Sequence, residues 1–567
     1  MATYKNISGA EALLLSLIDE GVDIIFGYPG GTIIPIYDKL YSHKKELNHI
    51  LTRHEQGAVH AAQGYSRATG KVGVCMATSG PGATNLITGI ADAMVDSTPL
   101  ICITAQVSAN ALGSDAFQEA DMISMTMPIT KWNFQVTDAS ELSTALAKAF
   151  FIARSGRPGP VVLEFTKNAQ VQMLEEYDYK PCTSLRSYNP TPKLSVSQIE
   201  EAAELLNKAE KPLIIVGQGV IISKAEQKVL ELAEKIGAPI ASSLMALSAI
   251  PSSHPQYIGM VGMHGSVAAN VMSQESDAIL AIGMRFSDRV TGDIKRYAPK
   301  AKIIHIDIDN SEINKVVNSF LGIHADALTA VDELIKHTTK ASHASWFDVA
   351  KKAYKREYDL VIKKSIHANN ETLQMGGAIN SIAEYCKGNA IIVTDVGQQQ
   401  MYAARYSKFN HSRSFITSGG LGTMGYGLPA AIGAKLGQPT KDVIAILGDG
   451  GFQMTMQELG TIAHNNIAVK IVILNNSFLG MVRQWQQLFY NRRYSFTELQ
   501  NPDFSVIASA YGIKSEKVYN EEQLQSAIDR MFKHEGSYLL DVIVDKEENV
   551  FPMVPAGKSI SEQICNE

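Results

Sequence analysis

The sequence lacks the features that mark secreted, membrane-spanning and disulfide-stabilised proteins. Its 567 residues include five cysteines, which are odd in number and widely scattered and contain no CxxC pair: Cys75, Cys102, Cys182, Cys386 and Cys565. This pattern favours reduced thiols in a cytosolic protein over a disulfide framework. No uninterrupted apolar stretch approaches the ~18 residues that a membrane span requires.

The chain also lacks a signal-peptide pattern and a long basic run. Its first apolar run, 12–18, is flanked by Glu11, Asp19 and Glu20, which is unlike a secretory signal. The net charge is −6, with 51 basic and 57 acidic residues, which argues against nucleic acid as the main partner. We therefore expect a cytoplasmic protein that binds neither nucleic acid nor membranes.

Short apolar runs rich in Val and Ile alternate with helical patterns along the whole chain. Such runs are typical of strands buried on both faces of a parallel sheet. Repeated alternation of strand and helix predicts an α/β protein with three doubly wound, Rossmann-like domains and mainly parallel sheets. The predicted strands are 23–26, 72–76, 99–104, 160–165, 212–216, 277–282, 302–308, 390–393, 443–447, 469–474 and 538–544.

Two polar stretches divide this pattern into three blocks of ordinary domain size. The first block is 1–170, and a mixed, Pro-containing linker follows it at 171–197. The second block is 198–337. A Lys-rich linker that could contain a helix spans 338–371, and the third block is 372–567.

The stretch from Gly448 to Asn476 contains the most specific chemical pattern. Asp449 follows one predicted strand, and Asn476 follows the next, so both fall at the carboxyl ends of strands, where α/β sheets bind ligands. Either residue alone would be typical of a turn. Together they offer the hard oxygen ligands that Mg²⁺ prefers, with the backbone carbonyl of Phe478 as a third ligand in the following loop. The spacing is similar to the signature of thiamine-diphosphate enzymes, in which the metal anchors the diphosphate.

The segment Arg53–His60 predicts a helix with Glu55 near its start, among small residues that pack tightly. One interpretation is an ordinary N-terminal glutamate stabilised by the helix dipole. The other is a partly desolvated carboxylate that hydrogen-bonds a ring nitrogen. In thiamine-diphosphate enzymes such a glutamate protonates N1′ of the aminopyrimidine and so helps to remove the C2 proton. The metal pattern in the same chain favours the second interpretation.

The chain resembles the acetohydroxyacid synthase (acetolactate synthase) large-subunit family of thiamine-diphosphate enzymes. The matching segments span nearly the whole sequence. The most specific are Arg-Phe-x-Asp-Arg-Val-Thr-Gly at 285–292 and Met-Val-x-Gln-Trp at 481–485. The other segments are 28–31, 53–62, 77–85, 114–119, 155–160, 262–265, 418–431, 448–458 and 551–555.

The resemblance implies three cofactors: thiamine diphosphate, Mg²⁺ and FAD without a net redox role. Mg²⁺ would take the ligands named above. The thiamine-diphosphate residues would be Glu55, Val396, Gly397, Gln398, Gln399, Gly422, Met424, Asp449, Gly450, Gly451, Asn476 and Met481. The FAD residues would be Arg157, Met263, His264, Gly283, Arg285, Asp307, Ile308 and Asp326.

The resemblance also implies the reaction and its substrates. Pyruvate would lose CO₂, and its two-carbon unit would join pyruvate or 2-oxobutyrate to give 2-acetolactate or 2-aceto-2-hydroxybutyrate, precursors of valine, leucine and isoleucine. Gln118 and Lys167 would act beside Glu55. Phe117, Arg289, Met481 and Trp485 would hold the second acid, with Arg289 on its carboxylate. Trp485 would favour 2-oxobutyrate by about 1–3 kcal/mol.

The family forms its active site between the first block of one subunit and the third block of another. The resemblance therefore implies a homo-oligomer, at least a dimer, whose isolated monomer is inactive. The family commonly has a small regulatory subunit as a further partner. This chain departs from the usual family residues at Ser108, Ser287 and Gln399, and in the segment 164–168, which includes Lys167.

Three alternative functions stay open. A catabolic acetolactate synthase makes the same bond without FAD, but it lacks the 285–292 and 481–485 patterns. A flavin oxidoreductase of the pyruvate oxidase type would pass electrons to the flavin, so pyruvate would bleach it. An inactive scaffold is disfavoured by the presence of Glu55, Asp449 and Asn476.

Overall fold

A computed structural model describes residues 3–366 and 372–566, which contain three six-stranded parallel sheets. This confirms the predicted fold class, because apolar clusters cover both faces of each sheet. Every strand predicted from the sequence is present, with ends that differ by at most two residues. Each sheet lies within one predicted block, whereas the block boundaries themselves stay predictions.

The first sheet lies between Ile24 and Thr166. Its strands, in spatial order, are Asn48–Leu51, Ile24–Tyr28, Gly73–Ala77, Leu100–Gln106, Pro160–Thr166 and Trp132–Val136. Its α-helices are Gly9–Asp19, Ile34–His43, Glu55–Thr69, Pro81–Thr84, Ile87–Val95, Met122–Thr126, Leu142–Arg154 and Lys167–Val171. The predicted linker 171–197 contains a strand, Met173–Asp178, which pairs antiparallel with Thr3–Ser8.

The second sheet has the spatial strand order Tyr257–Met260, Ile240–Ser242, Pro212–Val216, Ala278–Ile282, Lys302–Asp307 and Leu321–His324. Its α-helices are Val196–Lys208, Gln218–Ile222, Glu226–Ile236, Val267–Glu275, Asp288–Thr291 and Ala327–His337. The predicted linker 338–371 contains the α-helices Ala344–Glu357 and Lys363–Ile366 and, between them, the π-helix Tyr358–Ile362; its last five residues, 367–371, lie outside the described ranges. Buried Trp346 fixes this segment, because its indole N–H donates to the Pro212 carbonyl at 2.9 Å.

The third sheet has the spatial strand order Phe415–Ile416, Ile391–Thr394, Val443–Gly448, Lys470–Asn475, Tyr538–Ile543 and Lys514–Val518. Its α-helices are Met375–Cys386, Gln398–Tyr406, Gly427–Gly437, Asp449–Thr455, Leu459–Asn465, Gly480–Phe489, Phe504–Ala510 and Glu521–Lys533. Asp449 and Asn476 therefore follow neighbouring strands, as the sequence predicts.

The cysteines form no disulfide, and all five are free. Cys75 and Cys102 are buried and face each other in register on neighbouring strands of the first sheet. Across 3–366 and 372–566, no helix combines the length and the apolar character that crossing a bilayer demands.

Helix Glu55–Thr69 packs unusually closely on helix Gly427–Gly437, and this contact joins the first and third domains of one chain. A Cβ atom on Gly64 would overlap the backbone oxygen of Ala430, and one on Gly433 would overlap that of Ala61. Only glycine fits at such a backbone approach. The two helices thus touch through their main chains.

Replacing Gly64 with Ala should therefore lower the free energy of unfolding by about 1–3 kcal/mol or more, since overpacking displaces backbone on both sides. Urea unfolding followed by circular dichroism measures the change. Gly31→Ala is the matched control, because an added Cβ there meets no atom within 4 Å. Equal stabilities of the two variants would contradict the close packing.

Candidate active site

The carboxyl ends of neighbouring strands in the third sheet open into a small cleft. Helices Gln398–Tyr406 and Gly480–Phe489 both begin at its edge, and no side chain caps either N-terminus. Unpaired N–H groups and the positive end of a helix dipole attract anions. The cleft therefore suits a phosphate-bearing ligand.

Asp449 places a carboxylate inside this cleft, where it is only 2% exposed. Its oxygens accept hydrogen bonds from the backbone N–H of Gly450 at 2.9 Å and from Asn501 Nδ2 at 2.7 Å. Burial raises the pKa of Asp449 to about 6, although the hydrogen bonds from Asn501 and Gly450 act in the opposite direction. A divalent cation would relieve this desolvated charge.

The amide of Asn476 lies beside Asp449 on the next strand end, and its Oδ1 accepts from the Phe478 N–H at 3.1 Å. Both Asn476 and Phe478 line the cleft. Within the described part of the chain, no group of three His, Cys, Asp or Glu side chains could hold a metal. A metal here would therefore use one carboxylate with amide and carbonyl oxygens, a set that suits Mg²⁺.

Most of the residues predicted to bind thiamine diphosphate and Mg²⁺ line this one cleft. They are Val396, Gly397, Gln398, Gln399, Met424, Asp449, Gly450, Gly451, Asn476, Phe478 and Met481. Two predicted residues are not among them. Gly422 lines an adjoining larger cavity, and Glu55 lies in the first domain.

The larger cavity has a volume of about 1060 Å³ and is lined by all three domains. That volume lies at the upper end of the range for sites that hold small molecules and cofactors. All eight residues predicted to bind FAD line it: Arg157, Met263, His264, Gly283, Arg285, Asp307, Ile308 and Asp326. The structure therefore brings together residues that are more than a hundred positions apart.

Charged groups concentrate along one part of this cavity. Arg157 Nη1 lies 3.2 Å from Asp309 Oδ2 and 2.7 Å from Glu312 Oε1, and its Nε donates to Ser97 Oγ at 2.9 Å. Burial raises the pKa of Asp307 to about 6. This arrangement fixes Arg157 as a donor for an anionic ligand.

A second part of the cavity carries an unsatisfied polar atom. Burial lowers the pKa of His264 to about 4, and its buried Nδ1 has no hydrogen-bond partner in the described structure. Buried polar atoms are normally paired, so a ligand that supplies a partner fits here. Elsewhere in the lining, a Cβ on Gly219 would lie 2.7 Å from the Gly283 Cα, so the two main chains approach too closely for a side chain there.

Three of the four residues predicted to hold the second substrate line the same cavity, and Phe117 does not. Met481 and Trp485 lie one turn apart on helix Gly480–Phe489 and line it, and the Trp485 ring packs 5.5 Å from the Phe489 ring. Arg289 also lines it, mostly exposed, with Nη1 at 3.0 Å from Asp288 Oδ2. An apolar wall and a cation therefore face the same space.

The catalytic residues predicted in the first domain lie apart from both cavities of their own chain. Glu55 begins helix Glu55–Thr69, is buried, and accepts from Asn85 Nδ2 at 3.0 Å. Lys167 begins a short helix and is exposed. Neither lines the cleft or the large cavity.

Phe117 and Gln118 lie on a surface segment of the first domain. Phe117 is 87% exposed, and Gln118 has a left-handed backbone with φ 61°. The carboxylate of Glu119 braces the segment by accepting from the N–H groups of Gly113 and Ala116. One chain thus does not bring these residues to Asp449.

Two polar residues that the sequence did not suggest support the cleft. Asp395 is buried, and its carboxylate accepts from the N–H groups of Gly425 at 3.1 Å and Gly427 at 2.9 Å. Its position directly after a strand, like that of Asp449, was an available signal. Asn501 donates to Asp449 and Asn475, but it comes from a distant loop and gives no pattern in the sequence.

A buried carboxyl group also lies beneath the segment that carries Gln118. Glu164 is 0% exposed and accepts from the side-chain amides of Gln135 and of Gln106, the latter at 2.8 Å. The same Gln106 Nε2 donates to the Ala120 carbonyl at 2.8 Å. Burial raises the pKa of Glu164 to about 7 from 4.5.

Comparison with known proteins places this geometry in a family. The thiamine pyrophosphate enzyme N-terminal TPP binding domain matches residues 7–125, the central domain matches 199–334, and the C-terminal TPP binding domain matches 395–542. The chain is 45% identical to the acetolactate synthase large subunit of Corynebacterium glutamicum, over 99% of this chain and 90% of the relative. It is 45% identical to a probable acetolactate synthase large subunit of Methanocaldococcus jannaschii, over 97% and 94%. It is 43% identical to the acetolactate synthase isozyme 2 large subunit of Escherichia coli, over 98% and 99%.

The raised pKa of Glu164 makes stability depend on pH. The folded protein binds a proton at Glu164 more tightly than the unfolded chain, so this contribution is complete below pH 4.5 and is lost as pH rises through about 7. In wild type, the free energy of unfolding should therefore fall by at most about 3 kcal/mol over this pH range because of Glu164. In Glu164→Gln this fall should be absent. Urea titrations between pH 5 and pH 8 test this, with exposed Glu231→Gln as control. Parallel pH profiles for wild type and Glu164→Gln would refute it.

Proposed function

The chain belongs to the thiamine pyrophosphate enzyme family, among the acetolactate synthase large subunits, and on this premise we propose that it makes acetolactate. One pyruvate loses CO₂, and its two-carbon unit joins pyruvate or 2-oxobutyrate, which supplies the synthesis of branched-chain amino acids. One observation carries the proposal. The cleft around Asp449 and the cavity beside Trp485 share Met424 and Met481 in their walls, so a cofactor and a second acid can meet.

Mg²⁺ and the diphosphate fit the cleft. Asp449, Asn476 Oδ1 and the Phe478 carbonyl would hold the metal, and the uncapped helix starts at Gln398 and Gly480 would hold the phosphates. When bound, thiamine diphosphate supplies an acidic carbon and an electron sink for decarboxylation. Gln399, where the family usually has His, keeps an amide against the cleft and can still donate to a phosphate.

The first domain would complete the site of a partner subunit. Glu55 would hold a proton at the aminopyrimidine N1′, with Gln118 and Lys167 beside the reacting carbons. The support is geometric: these residues do not line their own chain's cleft, and Phe117 exposes a large apolar ring that a second copy would cover. We therefore propose a homo-oligomer with at least two chains.

FAD would occupy the large cavity. Arg157 would bind the anionic part of the cofactor, and His264 Nδ1 would find the partner that it lacks. In the carboligase reaction the flavin gains no electrons, so its role is to fill space and order the cavity wall. An oxidoreductase of the pyruvate oxidase type would instead reduce it.

The second 2-oxo acid would lie against Trp485 and Met481, with Arg289 at its carboxylate and the partner's ring at position 117 above it. Arg289 Nη1 donates a hydrogen bond to Asp288, and the guanidinium has further N–H groups that could bind a substrate carboxylate. The relatives named above are large subunits, so we also propose a small regulatory subunit as a partner of this chain.

Mixing two inactive variants tests the shared site. Glu55→Gln and Asp449→Ala should each be inactive as homo-oligomers. Chains that are co-refolded from both should regain about a quarter of wild-type activity, because half the dimers contain one intact site of two. Acetolactate formation from pyruvate is the readout.

A direct count of mixed oligomers is the control for this result. With an affinity tag on the Glu55→Gln chain only, the fraction of Asp449→Ala chain that co-purifies with it measures how far the two variants have paired at random. Failure of the two variants to complement, although the tagged chain co-purifies the other, would show that each site forms within one chain.

Trp485→Leu tests the reaction and its specificity together. In a competition between pyruvate and 2-oxobutyrate, the variant should lower the ratio of 2-aceto-2-hydroxybutyrate to 2-acetolactate by about 10- to 100-fold, because it loses the apolar wall. The flavin absorbance spectrum is recorded during the reaction, and the products of the same reaction mixture are then separated by chromatography. Bleaching of wild-type flavin by pyruvate without oxygen would favour the oxidoreductase instead.

A further inference from the structure

The loop 418–424 presents two of the proposed cofactor contacts, Gly422 and Met424, to the cleft and the large cavity. It joins the short edge strand Phe415–Ile416 to helix Gly427–Gly437 and belongs to neither. Its backbone includes a left-handed turn at Gly422, with φ 73°. Contacts other than the hydrogen bonds of helices and strands must therefore fix the shape of this loop.

Two buried carboxylates of the first domain hold this loop. Asp96, 1% exposed, accepts from the N–H groups of Gly419 and Gly420, both at 2.8 Å, one on each oxygen. Asp92, 0% exposed, accepts from Thr423 Oγ1 at 3.0 Å and from the hydroxyl of Ser418. The two carboxylates thus accept hydrogen bonds from four of the seven residues of the loop, including residues near both of its ends.

Two guanidinium groups lie near this pair of carboxylates. Arg67 Nη1 lies 3.7 Å from Asp96 Oδ2, and the Arg67 side chain also donates to the Thr417 carbonyl. A Cβ on Gly420 would lie 2.9 Å from Nη2 of Arg285, so a second guanidinium approaches the loop from the cavity side. Burial raises the pKa of both Asp92 and Asp96.

Burying two carboxylates beside each other costs free energy, which a neutral side chain would avoid. What a carboxylate offers is acceptor capacity for several donors, which it holds at a set separation. At Asp92 the hydroxyls of Ser418 and Thr423 both donate to Oδ1, so one oxygen fixes these two residues relative to each other. At Asp96 the two donors are successive backbone N–H groups, so the orientation of that peptide is fixed two residues before Gly422.

From this geometry we infer that Asp92 and Asp96 are positioning residues that set the cofactor-facing shape of the loop 418–424. The inference rests on the proposed function, since it takes Gly422 and Met424 of this loop as contacts of thiamine diphosphate. Neither residue lines the cleft or the large cavity, so both act through the loop. Arg67 lies on helix Glu55–Thr69 and ties the pair to the helix that begins with Glu55.

Asp96→Asn is the direct test, because its amide would place a donor against Gly419 N or Gly420 N. We expect exchange of the C2 proton of bound thiamine diphosphate, measured by NMR in the full-length holoenzyme with Mg²⁺, to slow by about 10- to 100-fold. The KM for pyruvate and the FAD content should stay within about twofold, since Trp485, Arg289 and Arg157 are untouched.

Thr423→Val gives a second, milder variant that keeps the shape of the side chain and removes one donor to Asp92. We expect its exchange rate to fall about fivefold. Asp23→Asn is the matched control in the same domain. Asp23 accepts from Tyr65 Oη and Lys71 Nζ and has no contact with the loop, so exchange should equal that of wild type.

The outcomes separate the inference from the proposed function. If Asp96→Asn and Thr423→Val lower thermal stability or cofactor occupancy but each occupied site exchanges at the wild-type rate, the positioning role is overturned and the function stands. A wild-type protein that binds no thiamine diphosphate would overturn both.

Discussion

The main-chain contact between helices Glu55–Thr69 and Gly427–Gly437 is the constraint on which the site depends. It locks the first and third domains of one chain together, and the Arg53 N–H reinforces it by donating to both Glu458 oxygens at 3.1 and 3.2 Å. Because this contact fixes the start of the helix, Glu55 stays away from the cleft of its own chain. This separation is the physical basis of our proposal that a second copy completes the site.

One desolvated carboxylate lies in the cleft, and two more hold the loop that follows strand Phe415–Ile416 and contributes Met424 to the cleft. Burial raises the pKa of Asp395, Asp449 and Asp96 to about 6 in each case. Two of the three hold loops by accepting backbone N–H groups, and the third faces the cleft with neutral donors only. The chain thus gives up stability to preorganise the cleft in which we propose that a cation and a diphosphate bind.

The sequence predicts the inner strands of each sheet and misses the edges. Eleven of the twelve inner strands follow from apolar runs, whereas all six edge strands escape, among them half-exposed Trp132–Val136. An edge strand buries fewer residues, so its apolar pattern is weak. In the site, Asp449 and Asn476 are predictable because each directly follows an apolar run that the sequence identifies as a strand. Asp92, Asp96 and Asn501 are not, because their partners lie hundreds or tens of positions away.

The shared wall between the cleft and the large cavity would give the proposed flavin a purpose that requires no electron transfer. Val396, Gly397, Met424, Met481 and Val482 line both spaces, so a molecule in the cavity backs the very residues that enclose the cleft. An isoalloxazine ring that never changes oxidation state would still keep bulk water from reaching a reactive carbanion from behind. Evolution can thus retain a coenzyme for its volume after its electron chemistry has fallen idle.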